Sequence, residues 1–316
     1  MKTEIDKMRN ILMFIFIIFC LSACKSTDHE IRHSNGSTKP DLWILGIGIN
    51  NYKNWPEYYL RNPVNDTLKV VDCIKKQEGN LYGNIHSLLI LDAAATKKNI
   101  INNFQYFKQA KPGDIIFLYI NAHGKTLEDG TYCFYPHDIG VVSETIKVNS
   151  VSNFNKTIDK QNIHRTINTV AGISIPDEYI ENKIDYSSSV NADEILQAMN
   201  VNVKTKILFL ETCESGGIGK TGGINDIIIF AACGQDEDAV EDNQYGNGSV
   251  FTEGFVRKIN SHNYNNSPLT IGILFDYMYN FVIELNKSLY NGRYNNMQHP
   301  ELYFMGKHKD FTLPEN

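Results

Sequence analysis

Two residues whose side chains could carry out acyl transfer each follow an uninterrupted apolar run. Cys213 follows the run at 207–210, and His123 follows the run at 115–120. Runs without a polar interruption predict strands of a parallel sheet that is buried on both faces. Because such sheets place their chemistry at the carboxyl ends of the strands, we expect His123 and Cys213 to lie close together.

The chemistry of this pair would be nucleophilic attack on an acyl carbon. A neighbouring imidazole takes the proton of the thiol and later gives it to a leaving amine. Gly124 directly follows the histidine, and a glycine lets the backbone approach a substrate carbonyl closely. We therefore predict His123 and Cys213 as the catalytic pair, and the amides of Gly124 and Cys213 as the oxyanion site.

The segments around both residues resemble the caspase-like peptidases, the clan that includes caspases, metacaspases and their bacterial relatives. Segment 121–124 reads Asn-Ala-His-Gly in place of the commoner Ser-Gly-His-Gly. Segment 211–216 looks like the Asp-x-Cys-x-Ser-Gly of metacaspases and bacterial members, with Glu in place of Asp. Segment 248–252 resembles the family's Gly-x-x-Phe-Thr helix entry, and 298–300 resembles its closing Gln-x-Pro. The motifs occur in the family's order.

The resemblance implies a fold and an activity. The fold would be α/β, a caspase-like doubly wound and mostly parallel sheet with helices on both faces, in one peptidase domain over 41–316. The activity would be that of a cysteine endopeptidase with a thioacyl-enzyme intermediate. The alternation of strand and helix patterns after residue 42 also predicts a parallel sheet. Segment 140–189 has few long apolar runs and is interpreted as a polar insert.

Further elements are predicted from hydrophobic periodicity. Additional strands are predicted at 42–50, 85–91, 226–232 and 301–305, with a short hairpin at 131–136. Helices are predicted at 63–77, 97–109, 191–199, 251–259 and 271–289. In the first helix, apolar residues on one face should pack against the sheet: Val64, Leu68, Val71 and Ile74. Thr96 is expected to cap the second helix.

Specificity is predicted from two acidic residues. In the metacaspase-like pattern the positions of Asp66 and Glu211 line the primary substrate pocket, and we assign Asn121 to the same pocket. By resemblance this pocket accepts Arg or Lys before the cleaved bond. A buried carboxylate pair is costly unless a cation joins it, and the planar fork of Arg can meet two carboxylates. The alternative is that Asp66 caps the first helix and Glu211 faces solvent.

The first forty residues are interpreted as a targeting segment. A basic start precedes an apolar run at 11–21 that is short for a membrane span, and the following Leu-Ser-Ala-Cys resembles a bacterial lipobox. This resemblance implies removal of residues 1–23, lipidation of Cys24 and a polar tether over 24–40. We therefore expect a lipid-anchored protein of the bacterial cell envelope, on the outer membrane or cell surface. An ordinary signal peptide or an uncleaved anchor is the alternative.

Composition narrows the functional classes. The chain has 316 residues, of which 42% are hydrophobic, so one large α/β domain can form. The net charge is −6 and Lys and Arg are scattered, which argues against nucleic acid as a partner. The expected partners are a protein or peptide substrate and, through the anchor, a membrane. Cys73, Cys133 and Cys233 are interpreted as structural thiols.

Metal binding and a scaffold role are two other functions that the sequence could support. His86, His137 and His299 lack the paired spacing of metal ligands. The acidic run at 236–242 does not match an EF-hand loop and is predicted to be solvated, with calcium as the alternative, so no cofactor is otherwise expected. A non-catalytic, lipid-anchored binding or scaffold protein on the same fold is the alternative function. Such a protein would need no thiol at residue 213 more reactive than that of Cys73.

Overall fold

A six-stranded sheet forms the centre of the computed structural model. The model describes residues 39–147, 178–221, 226–242, 248–262, 269–290 and 298–305. The strands in this part of the chain are β1 Leu42–Gly48, β2 Ile85–Leu91, β3 Ile115–Asn121, β4 Gly124–Thr126, β5 Tyr132–Phe134, β6 Gly140–Lys147, β7 Glu178–Asp185, β8 Val190–Asn191, β9 Thr205–Glu211, β10 Ile227–Ala231, β11 Glu241–Asp242, β12 Gly248–Ser249 and β13 Glu301–Met305. The central sheet has the order β13-β10-β9-β3-β1-β2. Its strands are parallel except β13, which pairs antiparallel with β10.

Helices cover both faces of this sheet. The α-helices of the described residues are α1 Pro63–Lys75, α2 Lys97–Asn103, α3 Ala192–Ala198, α4 Val250–Ser261 and α5 Ile271–Tyr290. Along β3, Phe117 and Tyr119 join the core formed with α1, α4 and α5, whereas Leu118 and Ile120 join the core formed with α2 and α3. Successive strand residues therefore enter opposite cores, as a sheet buried on both faces requires. The predicted α/β, doubly wound fold is confirmed.

Helix α1 packs on the sheet through a face rotated from the predicted one. Leu68 is 40% exposed, so its predicted place in the core was wrong, whereas Val70 and Val71 are buried. Two glycines of β1, Gly46 and Gly48, lie against Thr67 of α1 and explain the rotation. A Cβ on Gly46 would lie 2.8 Å from Thr67 Cγ2, so Thr67 occupies the space that a larger strand residue would fill. The close approach turns Leu68 towards solvent.

The second helix differs from its prediction at the end. Thr96 caps α2 as predicted, because its hydroxyl accepts a hydrogen bond from the Asn99 amide at 3.2 Å. The α-helix stops at Asn103 and continues as a 3-10 helix, Phe104–Gln109. Phe104 and Phe107 are both buried. Residues three apart lie directly above each other in a 3-10 helix, so both rings point to the same side. In an α-helix the two side chains would be offset.

Short strands lie outside the central sheet. The segment predicted as a hairpin at 131–136 supplies only one strand, β5, which pairs with β4 directly after His123. With three residues, β4 is too short for a recognisable alternation of side chains. Strands β6 and β7 form an antiparallel ribbon at the two ends of the segment predicted as an insert, and residues 148–177 between them lie outside the described part.

The N-terminal predictions fall outside the described residues. The signal segment, Cys24 and the tether up to residue 38 are therefore not covered by the structure. Among the residues that are described, no helix combines the length and apolar character needed to cross a membrane.

Candidate active site

The two strand ends predicted to carry the site lie side by side. In the parallel ladder of β3 and β9, Asn121 pairs with Glu211, so His123 and Cys213 each follow the paired residues by two positions. Gly124 fills the gap between the two ends. A Cβ at this position would lie 2.7 Å from Thr212 Oγ1 and 2.8 Å from the Cys213 carbonyl oxygen. A side chain at residue 124 would therefore force the strand ends apart.

The imidazole of His123 is held in one tautomer. Its Nε2 atom lies 2.8 Å from the carbonyl oxygen of Tyr58. Because a carbonyl can only accept a hydrogen bond, Nε2 carries the proton and Nδ1 carries the free lone pair. Burial lowers the pKa of His123 below its ordinary value of 6.5, which keeps the ring neutral at pH 7. A main-chain acceptor has no residue-type signal, so the sequence could not identify Tyr58.

Tyrosine side chains surround the same imidazole. The hydroxyl of Tyr52 accepts a hydrogen bond from the His123 amide at 2.8 Å. The ring centroids of Tyr52, Tyr58 and Tyr135 lie 5.2, 5.6 and 6.1 Å from that of His123. These rings restrict the rotation of the imidazole and exclude water from part of its surface.

Cys213 differs from the other cysteines of the described part. It is partly exposed, whereas Cys73, Cys133 and Cys233 are buried and free, as predicted for structural thiols. Burial in the first place, and then the nearby Cys233 and Asp238, raise the pKa of the Cys213 thiol well above its usual value. The thiol is therefore protonated at neutral pH and needs a base to react.

The thiol and the imidazole are close in the fold but are not joined directly. The side chain of Asp238 and the amide of Ala239 lie near the Cys213 thiol and influence its pKa. No hydrogen bond connects the thiol to the His123 ring within the described residues. Catalytic hydrogen bonds are often long in peptidases without substrate and shorten when substrate binds.

The turn after Cys213 is anchored by Glu214. This residue adopts a left-handed conformation with φ of 54°, which is unusual for a residue other than glycine. Its carboxylate accepts hydrogen bonds from Lys125 Nζ at 2.6 Å and from the Thr126 amide at 2.8 Å. The Ser215 hydroxyl accepts a hydrogen bond from the Cys233 amide at 3.2 Å. The motif residues on both sides of the turn therefore fix the position of Cys213.

The acidic loop at 236–242 makes more contacts with the rest of the protein than predicted. The Glu237 carboxylate accepts hydrogen bonds from the Gly234 amide at 2.9 Å and from both the amide and Nδ1 of His299, at 2.8 and 2.6 Å. Gln298 accepts a hydrogen bond from the Val240 amide at 3.1 Å. The prediction of a purely solvated loop was wrong for Glu237, because His299 reaches it from the start of β13. Asp238, in the same loop, is exposed and lies near Cys213.

The histidines considered as metal ligands have other contacts. His137 Nδ1 lies 2.6 Å from the Asn51 carbonyl oxygen, and the ring of His86 stacks on Trp43. Within the described ranges, no group of three or more His, Cys, Asp or Glu side chains is arranged to hold a metal ion.

Two buried acidic side chains, Asp66 and Glu211, lie at and near the end of β9. Asp66 is 1% exposed and Glu211 is 2% exposed. Asp66 Oδ2 accepts one hydrogen bond from the main-chain amide of Ser249 at 2.7 Å and another from the side-chain nitrogen Nδ2 of Asn121 at 3.4 Å. One oxygen of Glu211 accepts two hydrogen bonds from Thr252, both at 2.7 Å. The alternative of a helix cap and a solvent-facing carboxylate was therefore wrong.

Each of these two carboxylates keeps one oxygen without a hydrogen bond. The unpaired atoms are Asp66 Oδ1 and Glu211 Oε1, both buried, although the Lys69 ammonium lies 3.5 Å from Oδ1. Burial raises the pKa of Asp66 to about 6 and that of Glu211 to about 8, and the charge of Asp66 adds to the effect on Glu211. A buried carboxylate is stabilised by a nearby cation, and Lys69 supplies one to Asp66, whereas Glu211 Oε1 has no donor among the described residues.

The raised pKa of Glu211 predicts a dependence of stability on pH. The folded state binds the proton more tightly than the unfolded state, since the pKa rises from 4.5 to about 8. The stability contributed by protonated Glu211 is therefore present at pH 4 and is lost as the pH rises through 8. We expect wild type to lose about 2 to 4 kcal/mol of unfolding free energy between pH 5 and 8.5 that Glu211→Gln retains.

Urea unfolding at these two pH values measures the effect. The control is Glu57→Gln, which removes an exposed carboxyl and should follow the wild-type dependence. Equal pH dependence in wild type and Glu211→Gln would contradict a carboxyl with a raised pKa at this position.

Residues 43–311 match a protein-family model described as the caspase domain. The match covers most of the chain and includes the strand ends that carry His123 and Cys213. No curated protein matches the chain.

Proposed function

Because the chain belongs to the family of cysteine peptidases that share the caspase domain, we propose that it is an endopeptidase that cleaves after Arg or Lys. Cys213 is the nucleophile and His123 is the base. The observation that carries the specificity is the pair of neighbouring buried carboxyls, of which Glu211 Oε1 has no hydrogen-bond donor and Asp66 Oδ1 has only the Lys69 ammonium at 3.5 Å. Glu211 ends β9 and precedes the nucleophile by two residues, so we place the pocket next to the thiol.

Acylation begins from a neutral pair. As Sγ of Cys213 attacks the carbonyl carbon of the substrate, Nδ1 of His123 takes the thiol proton. The charge that develops on the carbonyl oxygen is stabilised by the amides of Gly124 and Cys213. When the carbon–nitrogen bond breaks, the imidazolium gives its proton to the leaving amine, and a thioacyl-enzyme remains.

Deacylation repeats these roles with water. His123 takes a proton from a water molecule that attacks the thioester, and the sulfur leaves as Cys213 recovers the proton. The Tyr58 carbonyl keeps Nε2 protonated and stabilises the ring when it is positively charged. The lowered pKa of His123 leaves the ring available as a base at neutral pH.

The pocket assignment rests on electrostatics. A guanidinium or ammonium group that enters the pocket supplies the donor that Glu211 Oε1 lacks and shares Asp66 Oδ1 with the Lys69 ammonium. Arg can meet both carboxylates with its planar fork, whereas Lys brings a single ammonium. A substrate carboxylate would be repelled. Hydrolysis rates of three fluorogenic peptides that differ only in ending with Arg, Lys or Asp test the proposal, and faster release after Asp would overturn it.

We also propose that the enzyme is anchored in the bacterial cell envelope through a lipid on Cys24. The support is the basic start, the short apolar run and the Leu-Ser-Ala-Cys tetrad of the sequence. In cells fed a labelled fatty acid, the wild-type chain should incorporate the label and Cys24→Ala should lose it. Cys73→Ala serves as the control for loss of a thiol elsewhere. Equal labelling of all three chains would contradict the assignment.

A further inference from the structure

Exposed aromatic side chains are concentrated beside His123. Tyr58 is 37% exposed, Tyr59 is 52% exposed and Tyr186 is 38% exposed. Tyr58 ends the 3-10 helix Pro56–Tyr58, and Tyr186 begins the 3-10 helix Tyr186–Ser188. Large rings left in water on loops near a candidate site often mark a binding surface.

The rings are connected to the imidazole by direct contacts. On one side, Tyr58 meets His123 edge-on with centroids 5.6 Å apart, and Trp55 packs on Tyr58 at 4.5 Å. On the other side, Tyr135 lies 6.1 Å from His123 and 6.0 Å from Tyr186. Together Trp55, Tyr58, Tyr135 and Tyr186 form an aromatic wall that runs from His123 to solvent.

The position of this wall relates it to one part of a substrate. His123 protonates the leaving amine, so the residue that follows the cleaved bond must pass next to the imidazole. The acidic pocket lies on the other side of the nucleophile, behind the end of β9. We propose that the aromatic wall is the subsite for the residue after the cleaved bond and that it favours an aromatic side chain there. This inference rests on the proposed peptidase function.

The charges near the wall support an apolar occupant. Lys125, the cation close to Tyr186, is paired with Glu214 at 2.6 Å and offers no unpaired charge. Asp238 lies near His123 and would repel an acidic residue. Ring edges and hydroxyl groups of tyrosines pack well against another aromatic ring. Partial burial of a Phe side chain on such a surface corresponds to a preference of about tenfold over Gly.

Partitioning of the thioacyl-enzyme tests the subsite separately from the acidic pocket. The full-length enzyme is acylated with a peptide ester ending in Arg, and phenylalaninamide or glycinamide is added. The amine attacks the thioester carbonyl, the carbon–sulfur bond breaks, and the amine proton passes to His123 and then to the sulfur. The ratio of amide product to hydrolysis product, corrected for the reaction of each amine with a free thioester, measures binding in the subsite.

We expect phenylalaninamide to be preferred about tenfold by wild type, and Tyr186→Ala to lower this preference towards one. Tyr186→Phe retains the ring and should retain the preference. Ile273→Ala removes an exposed apolar side chain of α5 and should leave the ratio unchanged. Equal use of the two amines by an enzyme that turns over the ester would overturn the subsite alone. An enzyme that turns over no Arg ester would overturn the proposed function and this inference together.

Discussion

Replacing Cys213 with alanine is expected to lower the rate of peptide hydrolysis by about 10⁴-fold or more, because no other group can form the thioacyl-enzyme. His123→Ala should have a comparable effect, since the thiol has a raised pKa and does not ionise without a base. Members of one catalytic unit are strongly non-additive. The double variant should therefore be only slightly slower than Cys213→Ala.

The measurement is kcat/KM on the fluorogenic Arg peptide. Cys73→Ala is the matched control, because it removes a buried thiol from α1, outside the site. It should retain wild-type turnover at temperatures where it is folded, and circular dichroism establishes that state. Full activity of Cys213→Ala would show that the nucleophile lies elsewhere and would favour the scaffold alternative.

Neutralising the acidic pocket is expected to change specificity more than it changes catalysis. Asp66→Asn and Glu211→Gln should each reduce kcat/KM for the Arg peptide by about 30- to 5000-fold, the range for losing one partner of a buried charge pair. Cleavage after an uncharged residue should change by less than about threefold, because neither carboxyl touches the reacting atoms. Glu253→Gln removes an acid of α4 that pairs with Arg257 at its surface and should resemble wild type.

The same pocket predicts a pH profile. Both carboxyls must ionise to hold a cation, and their pKa values are about 6 for Asp66 and about 8 for Glu211. For the free enzyme, kcat/KM on the Arg peptide should therefore rise with pH across this interval. In Glu211→Gln, the part of the increase in kcat/KM that occurs near pH 8 should be absent. An unchanged Arg preference in both pocket variants would contradict the pocket while leaving the catalytic pair standing.

The sequence predicted the parts of the fold that depend on uninterrupted apolar runs. The strands before His123 and Cys213 contain the uninterrupted apolar runs 115–120 and 207–210, so their burial on both faces and their parallel pairing could be predicted from these runs. Leu68 was misplaced because the spacing of apolar residues does not reveal how closely a helix approaches a sheet. That approach is decided by Gly46, which lies elsewhere in the chain.

The sequence suggested which side chains could form the site, but it could not show the main-chain groups that bind them. Asp66 and Glu211 were identified as acids, but the amides of Ser249 and Thr252 that bind them are not specified by residue type. The Tyr58 carbonyl escaped prediction for the same reason. Asp238 was read as one charge of a solvated run, since only the folded loop brings it to Cys213.

Gln298 and His299, the clamp on the acidic loop, follow His123, Cys213 and the loop in the chain and are therefore synthesised after them. Val240 and Glu237 are held by these two residues, and the same loop faces the nucleophile. The ribosome makes the histidine, the cysteine and the loop before it makes the clamp. A nascent chain that stops short of residue 298 therefore carries every reacting group without the contacts that arrange them. Such a chain should be poorly active.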